Sequence, residues 1–207
     1  MSSTPVHKVF ISYHHENDQG YKAALLDLNE SLGIFIDKSV DTGDIDPSLP
    51  DESIRVKIRD DYLKNSSVTI LLVGTGTAGR KHIDWELYSS MIDGKVNKKS
   101  GIIVIQLPST KPQHFSAPHG DAEKKQLYPE VGKWCSIESR SKYERRYPYL
   151  PARMIDQLLA KKVKVSVTQW SRLGENLENL ASLIDCAYQG RTNCNYDLSR
   201  EMKKRDS

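Results

Sequence analysis

No apolar run in the 207-residue chain approaches the roughly 20 residues that a membrane-spanning helix needs. The opening segment, MSSTPVHK, lacks the apolar stretch of a secretory signal, so a cytoplasmic location with no membrane partner is expected. Cysteine is scarce. Cys135, Cys186 and Cys194 are widely spaced and odd in number, which argues for reduced thiols and against a disulfide framework or a zinc ribbon. No strong excess of one charge exists either: the formal net charge is +3. The densest basic run, Lys203-Lys204-Arg205, is short and reads as a solvated tail, not as a nucleic-acid patch. Internal repeats and low-complexity segments are also missing. What is present, 38% hydrophobic and 28% charged residues, suits a folded globular protein and not a disordered one. The length suits a single domain with a sizeable core.

The first two thirds alternate between strand-like and helix-like patterns. Residues 9–13 read as a strand ending in a polar and aromatic cluster, Ser12-Tyr13-His14-His15-Glu16. Asp18 is placed to cap a helix whose apolar stripe is Tyr21, Leu25, Leu28 and Leu32, and Gly33 stops it. Ile34-Phe35-Ile36 makes a second strand, and residues 37–50 a polar connector. A helix with Ile54, Ile58 and Tyr62 on its stripe leads into VTILLV, residues 68–73, whose unbroken apolar character marks a strand buried on both faces of a parallel sheet. A glycine-rich turn, a helix with Ile83, Leu87 and Met91, and the strand GIIVIQL, residues 101–107, complete the series.

Four strand–helix units in a row predict an α/β, doubly wound parallel sheet with helices on both faces. Ligands of such sheets bind beyond the carboxyl ends of the strands. Residues 12–15, the loop from Asp37 and the turn after Val73 converge there. Residues 7–107 are therefore the expected core of one domain spanning 1–207, and 108–200 a loop-rich and helical elaboration. Within it RMIDQLLAKK reads as a helix, VKVSV as a short strand, and Leu173, Leu177, Leu180 and Ile184 as a final amphipathic helix.

GTGTAG, residues 74–79, matches the G-x-G-x-x-G dinucleotide fingerprint, but it follows the third strand and no acid stands at the end of the next one. The expectation is a tight turn whose glycines supply positive φ. His82 and Glu86 lie one helical turn apart, yet no third ligand has suitable spacing, so no metal is expected. The first strand ends in Ser12-Tyr13, which lacks both the acid of a response-regulator receiver and the phosphate loop of a flavodoxin.

VFISYHHEND at the start, SIRVKIRDDYLKNSSVTILLVG into the third strand, and TGTAGRKHIDWELYSSMIDGK after it form an unusual combination. It closely resembles the TIR-like domains of bacterial antiphage defence, specifically those of the Thoeris system, over about residues 7 to 107. The resemblance implies a flavodoxin-like TIR fold and cleavage of NAD, which is substrate and not cofactor. It implies Glu86 as the catalytic carboxylate, with Phe10, Ser12, Tyr13 and His14 as the facing wall. It further implies a cyclic ADP-ribose isomer as product, and a companion NAD-degrading effector reached through that diffusible nucleotide. A phage trigger and a homo-oligomer belong to the same expectation. In one respect the chain departs from the family: many TIR enzymes carry Cys or Ser shortly before the glutamate, where His82-Ile83-Asp84-Trp85 stands here.

The chemistry is consistent with these residue types. Breaking the nicotinamide–ribose bond builds positive charge on the sugar, and a carboxylate in a water-poor site stabilises it. Nicotinamide leaves as a neutral molecule, so no general acid is needed. Tyr13, Trp85 and Phe10 offer stacking surfaces for folding the nucleotide back on itself, although Phe10 and Trp85 also suit a core. Asp84, two residues from Glu86 and about 200° around the helix, is expected to face elsewhere. A non-catalytic TIR scaffold sensing a phage component, or an N-ribosyl-transferring enzyme on the same fold, remains the alternative.

Overall fold

Alternation of side chains along each strand decides how the layers assemble. The computed structural model describes residues 6–39, 49–94, 98–175 and 178–207. Among these, β1 (His7–Ser12), β2 (Phe35–Asp37), β3 (Val68–Val73), β4 (Gly101–Gln106) and β5 (Ser166–Gln169) form one sheet in the order β2-β1-β3-β4-β5. Every pairing is parallel. The four strands expected of the core are all in this sheet, and the second half of VKVSV joins it as a fifth strand at the edge. The polar connector expected over 37–50 falls largely outside the described residues, as do Leu177 and the side chain of Tyr62.

The helices are α1 (His15–Leu32), α2 (Asp51–Lys57), α3 (Lys81–Ser90), α4 (Asp121–Leu127), α5 (Arg140–Arg146), α6 (Ala152–Ala160), α7 (Ser171–Glu175) and α8 (Glu178–Gly190). α2 continues into a π-helical turn, Ile58–Tyr62. Within β3, Val68, Ile70 and Leu72 point to one face and Leu71 and Val73 to the other; Ile103 and Ile105 of β4 oppose Ile102 and Val104 in the same way. On the first face they pack against Leu25 of α1 and Leu180, Leu183 and Ile184 of α8. On the second they meet Ile83 and Leu87 of α3 and Met154, Ile155 and Leu158 of α6. Each fully buried Leu or Ile contributes about 1.5–3 kcal/mol, so the two layers hold one another through the sheet.

α1 ends as its sequence dictates: Gly33 adopts φ 61° and its N–H reaches the Asn29 carbonyl. Its start differs from expectation. His14 is the cap, its Nδ1 accepting the Asn17 N–H at 3.3 Å, and Asp18 lies buried inside the first turn.

The largest departure concerns the basic tail, and it centres on Asp84, which faces away from Glu86 as expected. Asp84 does not face solvent. Arg153 of α6 donates to it through Nε at 2.8 Å and Nη2 at 2.9 Å, and both side chains are buried. Two further guanidinium donors reach the carbonyls of Arg200 and Glu201, each at 3.0 Å. Lys203 is not a free tail residue: its N–H donates to Asp84 at 2.9 Å and its Nζ to the Ala78 and Gly79 carbonyls. Lys204 and Arg205 are exposed. The chain thus returns from α8 to lace α6 onto the start of α3.

Arg153→Met should lower stability by about 3–5 kcal/mol, because it strands a buried carboxylate. Asp84→Asn in that background should recover part of the loss, since the amide keeps an acceptor for the Lys203 N–H. Urea unfolding of the single and double variants checks both outcomes.

Candidate functional site

β1 carries the site by the same period-two logic. Val9, Ile11 and Tyr13 turn toward the layer of α1 and α8. Phe10 and Ser12 turn the other way, toward α3. Ser12 ends β1 and donates its hydroxyl to Oε2 of Glu86 at 2.6 Å. Glu86 is only 4% exposed, so the carboxylate is held in a water-poor place. In the strand order, β1 is flanked by β2 and β3, so the chain's connections diverge there. This is the topological switch point at which ligands of doubly wound sheets bind.

Beside this pair lies a cleft of about 240 Å³ lined by Tyr13, His14, His15, Glu16, Arg80, His82 and Ile83. Tyr13 is fixed by its hydroxyl, which donates to Gln19 at 2.5 Å, and by stacking on His15. His82 packs edge-on against Trp85, and its pKa is held below the ordinary value, chiefly by burial and then by Lys81. The ring is therefore neutral near pH 7, a hydrogen-bonding group and not a charge.

Of the residues expected at the site, Tyr13 and His14 line the cleft; Ser12 and Glu86 form a bonded pair outside its lining, next to Tyr13 in sequence and about one helical turn from Ile83. Phe10 and Trp85 are placed elsewhere. Both lie in a buried apolar cluster with Ile54, Ile58, Leu63 and Met202, and the Trp85 indole donates to the Lys203 carbonyl at 2.8 Å. Consecutive helical residues diverge by 100°, so Trp85 cannot share the outlook of Glu86. In this conformation the two rings pack α3 onto β1 and offer no stacking face. His15 belongs to the segment 12–15 expected at the crevice; Glu16 and Arg80 are not among the expected site residues, and His82 is considered in the sequence only as a metal ligand. Their signal was position: two follow the glycine turn, and two follow the first strand. Among the described residues no group of three or more His, Cys, Asp or Glu side chains is placed to hold a metal ion.

The glycines of GTGTAG serve close approach, not unusual φ; among the described residues the positive-φ glycines are Gly33 and Gly120. A Cβ on Gly74 would stand 2.5 Å from the Asp18 carboxylate oxygens, and one on Gly76 would stand 2.8 Å from the His14 ring. The bare backbone lets the turn after β3 press against the start of α1. The start of α3 is closed from outside. No side chain of its own caps it; Asp206 accepts the Lys81 N–H at 2.7 Å and pairs with Arg80 at 3.3 Å. A carboxylate there satisfies an orphan donor and complements the helix dipole.

A parallel sheet in the order β2-β1-β3-β4-β5 with helices on both faces, and a helix-borne carboxylate beside the switch point, defines the class: an α/β domain of the flavodoxin-like TIR type. The family model described as Thoeris protein ThsB, TIR-like domain, matches residues 10–112, and through this half of its length the chain belongs to that family of antiphage defence proteins. No curated protein matches the chain. Among the described residues no helix is long and apolar enough to cross a membrane.

Asp18 gives the site a pH-dependent cost. Burial raises its pKa above the ordinary 3.8, with His14 offsetting part of the effect. A raised folded-state pKa means that the folded chain keeps a proton that the unfolded chain has released. Stability from this group is therefore greatest below 3.8 and falls as pH rises through the folded value. Asp18→Asn should raise the melting temperature at neutral pH and lose that advantage in acid near pH 3. Thermal unfolding at the two pH values checks this.

Proposed function

We propose that this domain cleaves the bond between nicotinamide and ribose in NAD and closes the remaining ADP-ribose into a cyclic isomer. The observation that carries the proposal is the buried Glu86 carboxylate, held by Ser12 at 2.6 Å beside a cleft at the switch point. Family membership supports the same reading.

In the proposed reaction the C1′–N bond breaks and nicotinamide departs as a neutral molecule with both bonding electrons. Positive charge develops on the ribose, where Glu86 stabilises it. The low polarity around the carboxylate strengthens that interaction beyond its value in water. If water then attacks C1′, ADP-ribose and a proton result. If a nucleophile at the other end of the same nucleotide attacks, a ring closes, a proton is lost, and the product is lighter than ADP-ribose by one water. Holding both ends of the nucleotide together favours closure through effective molarity. Tyr13 and His14 line the space in which the substrate would be held. The cyclic nucleotide would then diffuse to a companion effector that degrades NAD.

Incubation of the protein, or of lysate from phage-infected cells, with NAD and mass analysis of the nucleotides tests the reaction. A product one water lighter than ADP-ribose is expected. Neither that product nor ADP-ribose under either condition would favour a non-catalytic scaffold. Glu86→Gln keeps an acceptor for the Ser12 hydroxyl while removing the charge. It should cost on the order of 3–4 kcal/mol in the barrier, a hundredfold or more in rate. Its melting temperature should change little. Full turnover in Glu86→Gln would remove the glutamate from the mechanism.

A further inference from the structure

A second hollow opens at the carboxyl ends of β3 and β4. Val73 and Gln106, the last residues of those strands, contribute to its wall, and its volume is about 150 Å³. Lys111, His114, Arg145 and Arg146 also line it, and no acidic residue does. The loop that brings Lys111 and His114 is tied to the sheet, because the Gln106 amide donates to the His114 carbonyl at 2.7 Å.

The cations of this hollow are unlike their neighbours. Arg140 engages Glu144 and Asp156, Arg200 engages Asp156, and Arg153 engages Asp84. Among the described residues, Lys111, Arg145 and Arg146 have no such carboxylate partner. Glu144, adjacent in sequence, is already held by Arg140. Lys111 sits at φ 47°, a left-handed conformation that a residue with a Cβ adopts at a cost. Burial, and secondarily Arg146, keep the pKa of His114 below its ordinary value, so its ring is a neutral hydrogen-bonding group near pH 7.

We propose that this hollow binds the phosphate groups of a nucleotide. Two guanidinium forks and an ammonium group around a pit without acids are the donor set that matches phosphate oxygens. The volume equals that of about five water molecules at ~30 Å³ each, room for a pyrophosphate and not for a whole dinucleotide. Neighbouring strands lie about 4.8 Å apart, so β4 stands two spacings, about 10 Å, from β1 and its Ser12. The hollow is therefore separate from the Glu86 crevice but opens on the same edge of the sheet. The proposal does not rest on the glutamate's role, because it concerns binding and not turnover.

Calorimetric titration of the intact protein with inorganic pyrophosphate, and then with ADP-ribose, tests it. Pyrophosphate should bind, and Arg145→Gln with Arg146→Gln should weaken it about tenfold or more. Lys111→Gly should also weaken it while keeping or raising the melting temperature, since glycine relieves the left-handed strain; this variant decides the matter if the double variant unfolds. ADP-ribose should compete with pyrophosphate. If Ser12→Ala weakens ADP-ribose but not pyrophosphate, the phosphates belong to a nucleotide reaching the Glu86 crevice. If it weakens neither, the hollow serves a separate nucleotide. Absence of pyrophosphate binding at millimolar concentration would overturn the proposal, as would unchanged affinity in Lys111→Gly.

Discussion

The buried carboxylate of Asp84 is the pin on which this structure turns. An isolated charge in such a place costs several kcal/mol, and an ion pair alone need not offset that. Here the carboxylate receives two guanidinium bonds from Arg153 and one backbone N–H from Lys203, and the guanidinium spends two further donors on the Arg200 and Glu201 carbonyls. Three segments distant in sequence meet at one satisfied network. Such a network tolerates little displacement, so it fixes the rotation of α3 about its own axis. Glu86, two residues further along, inherits its aim at Ser12 from that rotation.

The position of Glu86 also rests on β1. A strand has two faces, and this one spends one face on the core while the other receives α3. Phe10 and Trp85 form the apolar half of that contact and Ser12 and Glu86 the polar half. The buried rings exclude water next to a hydrogen-bonded carboxylate, a setting that low polarity makes electrostatically strong. What first looked like a row of equivalent site residues is a division between packing and polar groups.

Much of this was legible in the chain. VTILLV and GIIVIQL had to be central strands, because only burial on both faces accommodates an unbroken apolar run. The convergence of Ser12 and the helix of Glu86 followed from the topology together with the TIR resemblance. Other features left no local trace. α4 and α5 span seven residues each, about two turns, too short to show a stripe in a segment full of Pro, Lys and Tyr. The purpose of Gly74 and Gly76 depends on Asp18 and His14 across the turn, so the motif alone suggested the wrong reason for its glycines. Arg153, Lys203 and Asp206 act on residues 69 to 125 positions away, and no periodicity encodes a contact of that range.

That range has a consequence for how the protein comes into being. The sheet strands β1 to β4 and helix α3 lie within the first 106 residues. The residues that cap and clamp α3, from Arg153 to Ser207, are synthesised after it. A chain emerges at about 5–20 residues per second, so an interval of several seconds separates the appearance of the glutamate from the appearance of its clamp. During translation the helix end has an unfilled first turn and a buried acid without its partner. The carboxylate that the family reading places at the centre of the chemistry is thus fixed in its final orientation only after the clamp residues have followed it out of the ribosome.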